Sequence, residues 1–270
     1  MMEKSHILED HPDQPAVVCL SGAGGLWPDW LPVAGLMSGQ AHVVVIQRPA
    51  VRLLLDEAVE QVAATIRELP QHQALLVAHS MGGFVAEATA RLHPGLVSGM
   101  LLVDSSVAHP HNRMMSLTEG VMEWGATKMH QLLDRYQLRP VLGPLLRKQV
   151  EPVPARKQDE RRRLVDEITH TSEHWELVAA DLSDYEPWND DLLSLRHRKP
   201  LPGTPITVIS AVRHPSRQPH SWSGQQDRLV SLFRSDPGSP TVRHVVLHGA
   251  PHLVQLSHPN EVATEVATLL

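Results

Sequence analysis

One serine stands out because of the residues around it. Residues 74 to 83 read Ala-Leu-Leu-Val-Ala-His-Ser-Met-Gly-Gly, so an apolar run delivers Ser80 into a turn of small residues where a helical pattern begins. A strand that turns sharply into a helix exposes the side chain at the turn, and the next backbone N–H lies at a helix N-terminus, where negative charge is stabilised. Ala78 replaces the first Gly of the G-x-S-x-G pattern. The pattern favours a nucleophilic serine; the alternative is a serine that caps an ordinary helix.

A serine hydroxyl is a weak nucleophile unless a base takes its proton, and a histidine base needs an acceptor that fixes its tautomer. The chain has 18 histidines, so position as well as residue type must select one. His252 follows the last apolar run in the loop His-Gly-Ala-Pro-His, which can bring its side chain back over the edge of a sheet. We predict His252 as the base, with His248, His258 and His79 as the alternatives.

Short apolar runs predict the strands that must position these residues. They are rich in Val, Ile and Leu on both faces, which is typical of a parallel sheet covered by helices. The runs lie at 16–20, 43–47, 74–79, 99–103, 205–210 and 242–247. Helical patterns at 55–69, 81–92 and 259–270 alternate with them. The sequence therefore predicts an α/β fold with a doubly wound, mostly parallel sheet.

This alternation fails in the middle of the chain. Residues 106–202 have helical apolar spacing and no convincing strand, so we predict a helical cap inserted into a core formed by residues 1–105 and 203–270. Such an insertion lies over the C-terminal edge of the sheet, where ligands bind in open α/β folds. The run Arg161-Arg162-Arg163 is interpreted as a solvated helix face.

Three motifs together resemble the α/β-hydrolase superfamily. The His-Gly-x-Gly loop of this superfamily corresponds to Ser21-Gly22-Ala23-Gly24-Gly25. Its nucleophile elbow corresponds to Ala78-His79-Ser80-Met81-Gly82, and its histidine loop corresponds to Gly249-Ala250-Pro251-His252. The resemblance covers residues 16–105 and 203–270. It implies an oxyanion hole formed by the backbone N–H groups of Ala23 and Met81. A glycine-rich loop suits this role because it brings backbone donors close to the developing oxyanion.

The acid of the implied Ser-Asp-His triad departs from the usual pattern. The superfamily places it after the strand at 205–210, where this chain has Arg213, which cannot accept a proton. Some members carry the acid at the end of the preceding strand, and there this chain has Asp104. Ser80 and Asp104 would then end adjacent strands, about 4.8 Å apart in the pairing direction. We predict Asp104 as the acid. The alternative role for Asp104 is to hold the turn that follows the strand. In that case Asp227, Asp181 or Asp184 would be the acid.

Two further departures from the superfamily concern the segment after the second predicted strand and the residues ahead of the first. The Asp-Arg-x-Gly-x-Gly segment of the superfamily appears only as Gln47-Arg48-Pro49. Few residues precede the first predicted strand, so the antiparallel N-terminal hairpin common in this fold is expected to be shortened or absent.

The predicted pocket is lined by Gly22, Gly24 and Trp27, with apolar character that favours an apolar acyl or alcohol group. For the other apolar residues near the motifs, core packing is the preferred interpretation; they are Trp30, Phe84, Met114, Met115, Trp124, Trp175, Trp188, Leu253 and Val254. We predict a serine hydrolase acting on a small apolar ester through an acyl-enzyme. A C–C bond hydrolase, a thioesterase and a cofactor-free perhydrolase use the same triad, and a non-catalytic ligand-binding protein is the alternative of another class. The serine itself argues against haloalkane dehalogenase and epoxide hydrolase chemistry, for which the resemblance would require aspartate at position 80.

Composition favours a small-molecule substrate as the partner. The net charge of −6 argues against nucleic acid or an anionic membrane surface. No apolar segment approaches the roughly 18 residues of a membrane span. The single cysteine, Cys19, lies in an apolar run and allows no internal disulfide, which fits a reducing compartment. We therefore expect a cytoplasmic monomer or homodimer without metal or cofactor, since neither metal-ligand spacing nor a dinucleotide fingerprint is present.

Overall fold

Seven strands form one sheet in the part of the chain that the structure describes. The computed structural model describes residues 4–110, 159–212, 221–238 and 240–270. The strands are β1 (Lys4–Glu9), β2 (Ala16–Leu20), β3 (His42–Gln47), β4 (Ala74–His79), β5 (Val97–Val103), β6 (Ile206–Val212) and β7 (Val242–His248). Their spatial order is β1-β3-β2-β4-β5-β6-β7, and β1 alone runs antiparallel to its neighbour. The predicted α/β class is confirmed, and each of the six predicted strands is present.

Strand β1 was not predicted from the sequence. Lys-Ser-His-Ile-Leu-Glu has only two adjacent apolar residues, because β1 is an edge strand whose side chains from residue 5 to residue 9 are exposed or half-buried. It pairs antiparallel with β3 along residues 43–47. An antiparallel N-terminal strand is therefore present ahead of β2.

Helices cover both faces of the sheet because alternate strand residues point in opposite directions. The helices are α1 (Leu31–Leu36), α2 (Leu55–Glu68), α3 (Gly82–Leu92), α4 (Asp159–Thr169), α5 (Ser172–Arg198), α6 (Trp222–Arg234), α7 (Val254–Ser257) and α8 (Pro259–Leu269). Val18, Leu76 and Leu102 pack in one core with α2, α3 and α6. Val17 and Val77 pack on the other face with α1 and α8. Two cores on opposite faces are what a doubly wound sheet requires.

Cys19 belongs to the second of these cores. Burial raises the pKa of its thiol, so the residue carries no thiolate at neutral pH. This agrees with its interpretation as a buried strand residue.

Helix α5 is the long helix of the predicted cap. It contacts the segment that leads into α2: Asp184 accepts hydrogen bonds from Arg52 Nε and Leu53 N, each at 2.8 Å, and the Trp188 indole donates to the Leu53 carbonyl at 2.8 Å. Of the predicted cap, the structure describes residues 106–110 and 159–202. Met114, Met115 and Trp124 lie outside the described residues, and the cap as a unit stays a prediction.

The arginine run on α4 does not form a uniformly solvated face. Arg161 is buried and its NH1 lies 3.2 Å from Asp29 Oδ1. Arg162 is exposed on the same helix, 4.0 Å from Asp166. The interpretation was wrong for Arg161 because its partner lies in the 3-10 turn Trp27–Trp30, more than a hundred residues earlier in the chain.

A buried cluster of ion pairs connects α3 to the end of α5. Glu87 accepts hydrogen bonds from Arg91 Nε at 2.9 Å and Arg196 NH2 at 2.7 Å, and Arg91 NH2 lies 3.0 Å from Asp236. Burial alone would raise the pKa of Glu87, but the guanidinium groups of Arg196 and Arg91 outweigh it and lower the pKa. The carboxylate is thus held in its charged form inside the protein.

We predict that Glu87→Gln lowers the free energy of unfolding by about 3–5 kcal/mol at pH 7, because it leaves buried guanidinium charge without its carboxylate. The pKa of Glu87 is lowered from 4.5, so this stabilisation is present above about pH 4.5 and is lost as the pH falls below it. Urea denaturation at pH 7 and in acid measures both effects.

The matched control is Glu68→Gln, which changes an exposed carboxylate at the end of α2 and should cost less than about 0.5 kcal/mol. Equal urea midpoints for the two variants would contradict the prediction.

Candidate active site

The turn after β4 holds Ser80 in a backbone conformation with a φ of +50°. Its carbonyl accepts three hydrogen bonds, from Gly83 N and Ser106 N at 3.0 Å and from Ser105 Oγ at 3.3 Å. Glycine is required nearby because a Cβ on Gly22 would lie 2.7 Å from Ser80 Cβ, and a Cβ on Gly82 would lie 2.6 Å from the Leu20 carbonyl oxygen. The small residues therefore permit the close approach that a strained strand-to-helix turn needs.

Asp104 leaves the neighbouring strand in the same way. The register of β4 and β5 pairs His79 with Val103, so Ser80 and Asp104 are the next residues on adjacent strands. Asp104 has a φ of +44°, and its side chain is 1% exposed. Its backbone N–H donates to the Ile209 carbonyl on β6 at 2.7 Å. Both side chains thus leave the C-terminal edge of the sheet side by side.

His252 meets Asp104 across this edge. Its Nδ1 lies 2.6 Å from Asp104 Oδ2, and because a carboxylate only accepts, Nδ1–H is the donor. In the neutral ring this leaves Nε2 as the unprotonated nitrogen that can accept a proton. The His252 side chain is 42% exposed.

The three other candidate histidines lie differently. His79 is buried at the end of β4, His248 is exposed at the end of β7, and the ring of His258 contacts Ser257 Oγ at 2.9 Å. Among the described residues, the structure brings His252 to Asp104.

The second carboxylate oxygen of Asp104 has two donors of its own. Oδ1 accepts from Ala211 N at 2.9 Å and from the Trp222 indole N–H at 2.8 Å. The Trp222 ring also meets the His252 ring edge-on, with centroids 5.3 Å apart. Sequence reasoning missed Trp222. A half-buried indole N–H needs a hydrogen-bond partner, which is a signal in itself, but the sequence does not show that this partner lies 118 residues away.

The alternative acids have other partners. Asp181 pairs with Arg48, and Asp184 pairs with Arg52. Asp227 is exposed on α6. Within the described ranges none of these three carboxylates contacts His252.

His79 supports the loop that carries His252. Its Nε2 lies 3.0 Å from the His252 carbonyl oxygen, which can only accept, so Nε2 carries the proton. Burial lowers the pKa of His79 to about 3, and the charge of the neighbouring His252 ring contributes to this shift. His79 is therefore neutral at physiological pH. Nothing in the sequence indicated that His79 holds this carbonyl.

The glycine-rich loop between β2 and α1 lies against the serine. Gly24 N donates to Asp181 Oδ2 at 2.8 Å, and Gly25 N donates to the Gly22 carbonyl at 3.0 Å. The backbone N–H groups of Ala23 and Met81 donate to no acceptor in the part of the chain that the structure describes. These two donors are thus available to a bound molecule.

A cavity of about 590 Å³ opens beside these groups. Its walls combine hydroxyl groups, the rings of Tyr, Trp and His and small apolar side chains. The described lining residues are Ser80, Asp104, Ser106, Tyr185, Ala211, Val212, Ser221, Trp222, Ser223, Ala250, Pro251 and His252. Of the predicted pocket residues, Gly22 lies against Ser80 and Gly24 against Val178. Trp27 instead stacks on His6 and, among the described residues, lines a separate cavity of about 170 Å³.

Of the residues assigned to core packing, Trp30, Phe84, Trp188 and Val254 are buried, whereas Trp175 and Leu253 are half-buried. None of the helices that the structure describes is both long enough and apolar enough to cross a membrane.

Comparison with known protein families finds a match to this sequence. The family described as "Alpha/beta hydrolase family" matches residues 17–265. The comparison with curated proteins finds no match.

Several solved structures share the fold at low identity. MenH from S. aureus has a TM-score of 0.70 at 14% identity, covering 100% of this chain and 97% of that one. The enol-lactonase from Burkholderia xenovorans LB400 has a TM-score of 0.66 at 16% identity, covering 99% and 95%. A thermophilic esterase from Thermogutta terrifontis has a TM-score of 0.63 at 16% identity, covering 98% and 92%. At these identities the likeness shows the fold alone.

We predict that His79 makes the protein sensitive to acid. Its pKa is lowered from 6.5 to about 3, so between these pH values the unfolded chain binds a proton that the native protein does not. Above about pH 6.5 the titration of His79 therefore does not lower the free energy of unfolding. Below that pH the free energy of unfolding falls, by up to about 1.4 kcal/mol per pH unit. His79→Asn removes this titration, so its free energy of unfolding should fall less steeply between pH 6 and pH 4.5.

Urea denaturation at several pH values measures these slopes. His72→Asn, which replaces an exposed histidine, serves as the control and should retain the steep wild-type slope. The same slope in all three proteins would rule out the role assigned to His79.

Proposed function

The chain belongs to the alpha/beta hydrolase family, and from this premise we propose that it is a serine hydrolase in which Ser80 is the nucleophile, His252 the base and Asp104 the acid. The observation that carries the proposal is the 2.6 Å hydrogen bond from His252 to Asp104, formed at the edge where Ser80 leaves the adjacent strand. The order Ser, Asp, His along the chain is the one expected for this fold.

The proposed reaction proceeds in two halves. His252 Nε2 takes the proton of Ser80 Oγ while Oγ attacks the substrate carbonyl carbon. The resulting imidazolium gives its proton to the leaving alcohol, and the acyl group remains on Ser80. In the second half His252 deprotonates a water molecule, which attacks the acyl carbon. The imidazolium then returns this proton to Ser80 Oγ as the bond between Oγ and the acyl carbon breaks, and the acid is released.

The oxyanion of each tetrahedral intermediate is proposed to accept hydrogen bonds from Ala23 N and Met81 N. The availability of both N–H groups and the closeness of Gly22 to Ser80 support this assignment. Met81 precedes α3, so its N–H also benefits from the helix dipole. Donors of this kind commonly contribute about 2.7–4 kcal/mol each to transition-state stabilisation.

We propose an uncharged carboxylic ester as the substrate class. Apart from Asp104, His252 and the phenol of Tyr185, the described lining residues carry no ionisable side chain, so they offer no cation for an anionic substrate. A lactone and a thioester react by the same steps, and one of the structures sharing the fold is an enol-lactonase. The segment 106–202 is proposed to act as the cap that closes this cavity, and the protein to act on a small molecule in the cytoplasm.

A fluorophosphonate probe tests the nucleophile directly. We expect stoichiometric labelling of the protein at Ser80, located by mass spectrometry, because the activated hydroxyl attacks phosphorus as it would a carbonyl. Ser80→Ala should abolish labelling and ester hydrolysis, whereas Ser106→Ala, which alters another hydroxyl of the cavity wall, should still be labelled. Absence of labelling in folded wild-type protein from pH 6 to pH 9 would favour the non-catalytic alternative.

Asp104→Asn tests the acid. The amide no longer imposes the productive tautomer on His252, so we expect kcat to fall by about 10⁴-fold. Asp227→Asn, at the exposed position on α6, should leave kcat within about twofold. Hydrolysis of a panel of short and long acyl esters, lactones and thioesters provides the measurement; a variant at Asp104 that retained wild-type kcat would exclude this carboxylate as the acid.

A further inference from the structure

Arg48, the second residue of the divergent Gln-Arg-Pro segment, makes an unusual set of contacts with the glycine-rich loop. It follows β3 directly, and its guanidinium group donates from NH1 to the Ser21 carbonyl at 2.6 Å and from NH2 to the Gly22 carbonyl at 2.7 Å. One side chain thus holds two successive carbonyl groups. Its fixed planar fork makes such multiple contacts possible, which lysine could not reproduce.

Asp181 of α5 completes the arrangement. Its two oxygens accept from Arg48 Nε at 2.9 Å and Arg48 NH2 at 2.8 Å. Its Oδ2 also accepts from Gly24 N at 2.8 Å. The side chains of Arg48 and Asp181 are only 10% and 4% exposed, so solvent weakens this pair little.

These contacts surround Ala23 on both sides and determine where its N–H points. The Gly22 carbonyl and the Ala23 N–H belong to the same peptide unit, which is planar and trans, so the two groups point in opposite directions. By holding the Gly22 carbonyl, Arg48 orients the Ala23 N–H away from itself. By holding Gly24 N, Asp181 anchors the following peptide.

We propose that Arg48 and Asp181 are positioning residues for the oxyanion hole, through which α5 sets the direction of the Ala23 N–H donor. This rests on the proposed serine hydrolase function. Neither residue touches substrate in this proposal; each acts through the backbone. A pair that only anchored α5 to the core would have no effect on the transition state beyond its effect on folding.

The chain contains a matched control three residues further along the same helix. Asp184 pairs with Arg52 and accepts from Leu53 N, so it also joins α5 to the segment after β3, but it makes no contact with the glycine-rich loop. Arg52→Met/Asp184→Leu therefore removes an ion pair and a backbone contact from the same helix, with the difference that Arg52 is the more exposed arginine.

The experimental variant is Arg48→Met/Asp181→Leu. Removing both charges avoids an unpaired buried charge, which a single substitution would leave and which can prevent folding. Circular dichroism and urea denaturation establish that both double variants are folded. The assays are kcat and KM for an ester that wild type hydrolyses, and the inhibition constant of phenylboronic acid, whose tetrahedral adduct with serine carries the oxygen that an oxyanion hole binds.

We expect Arg48→Met/Asp181→Leu to lower kcat by about 10²–10³-fold, the loss typical of one oxyanion donor, with KM within about threefold. The boronic acid should bind more weakly by a comparable factor. Arg52→Met/Asp184→Leu should stay within about threefold of wild type in all three constants. Arg48→Lys should show an intermediate kcat, since one ammonium group cannot hold both carbonyls and the carboxylate.

Two results would overturn the proposal while leaving the serine hydrolase function intact. One is a folded Arg48→Met/Asp181→Leu variant that retains kcat within threefold of wild type. The other is an equal loss of kcat in the control pair, which would assign the effect to anchoring of α5. A wild-type protein that is neither labelled by the fluorophosphonate nor active on any ester would overturn both proposals together.

Discussion

Ser80 and Asp104 both leave their strands with a positive φ, and the rest of the candidate site depends on this shared constraint. The left-handed conformation costs a non-glycine residue about 1–3 kcal/mol, so it persists only where the surroundings impose it. At Ser80 the surroundings are three donors to one carbonyl and the glycines that let neighbouring backbone approach. At Asp104 they are the backbone bond to Ile209 and the contacts of the carboxylate. Because the two strands are adjacent and parallel, two strained turns place the hydroxyl of Ser80 and the carboxylate of Asp104 at one edge.

The carboxylate of Asp104 joins segments that are far apart in the chain. It accepts hydrogen bonds from β6 through Ala211 N, from α6 through Trp222 and from the last loop through His252. From the other side, His79 at the end of β4 donates to the backbone of the same loop. The orientation of His252, the proposed base, is thus determined by contacts to its ring and to its carbonyl. Buried polar groups with every partner in place specify one arrangement, because each displaced partner would leave an unsatisfied group.

The strands were predictable because a parallel sheet buried on both faces requires continuous apolar runs, and β2 and β4 are buried along their whole length. The edge strand β1 lacked that signal. Ser80 and His252 could be selected because chain order and small residues mark the turns that carry them. Asp104 could be preferred over Asp181 only by assuming that the acid ends a neighbouring strand.

Contacts between distant segments had no such local signal. The sequence pattern predicts a solvated side chain for an arginine on an amphipathic helix. Arg161 is instead buried against Asp29, which is 132 residues away in the chain. Arg48 and Asp181 are 133 residues apart, and nothing in the sequence around either residue indicates the other. Sequence periodicity describes which face of an element is apolar, and it contains no information about which buried charges meet.

Helix α5 shows why such pairs matter for placement more than for net stability. Its polar side chains meet the core at successive positions along its length: Asp181 with Arg48, Asp184 with Arg52, Asn189 with the backbone of His109, and Arg196 with Glu87. Apolar contacts alone would tolerate a slide of a few ångströms, since they depend on area and not on direction. A shift of one helical turn, about 5.4 Å, would instead separate every one of these pairs and leave charges buried alone. Each buried charge repays its desolvation only where its partner lies opposite, so the four contacts distributed along this helix favour one register. The position of the glycine-rich loop, which α5 holds through Asp181, is determined by the same constraint.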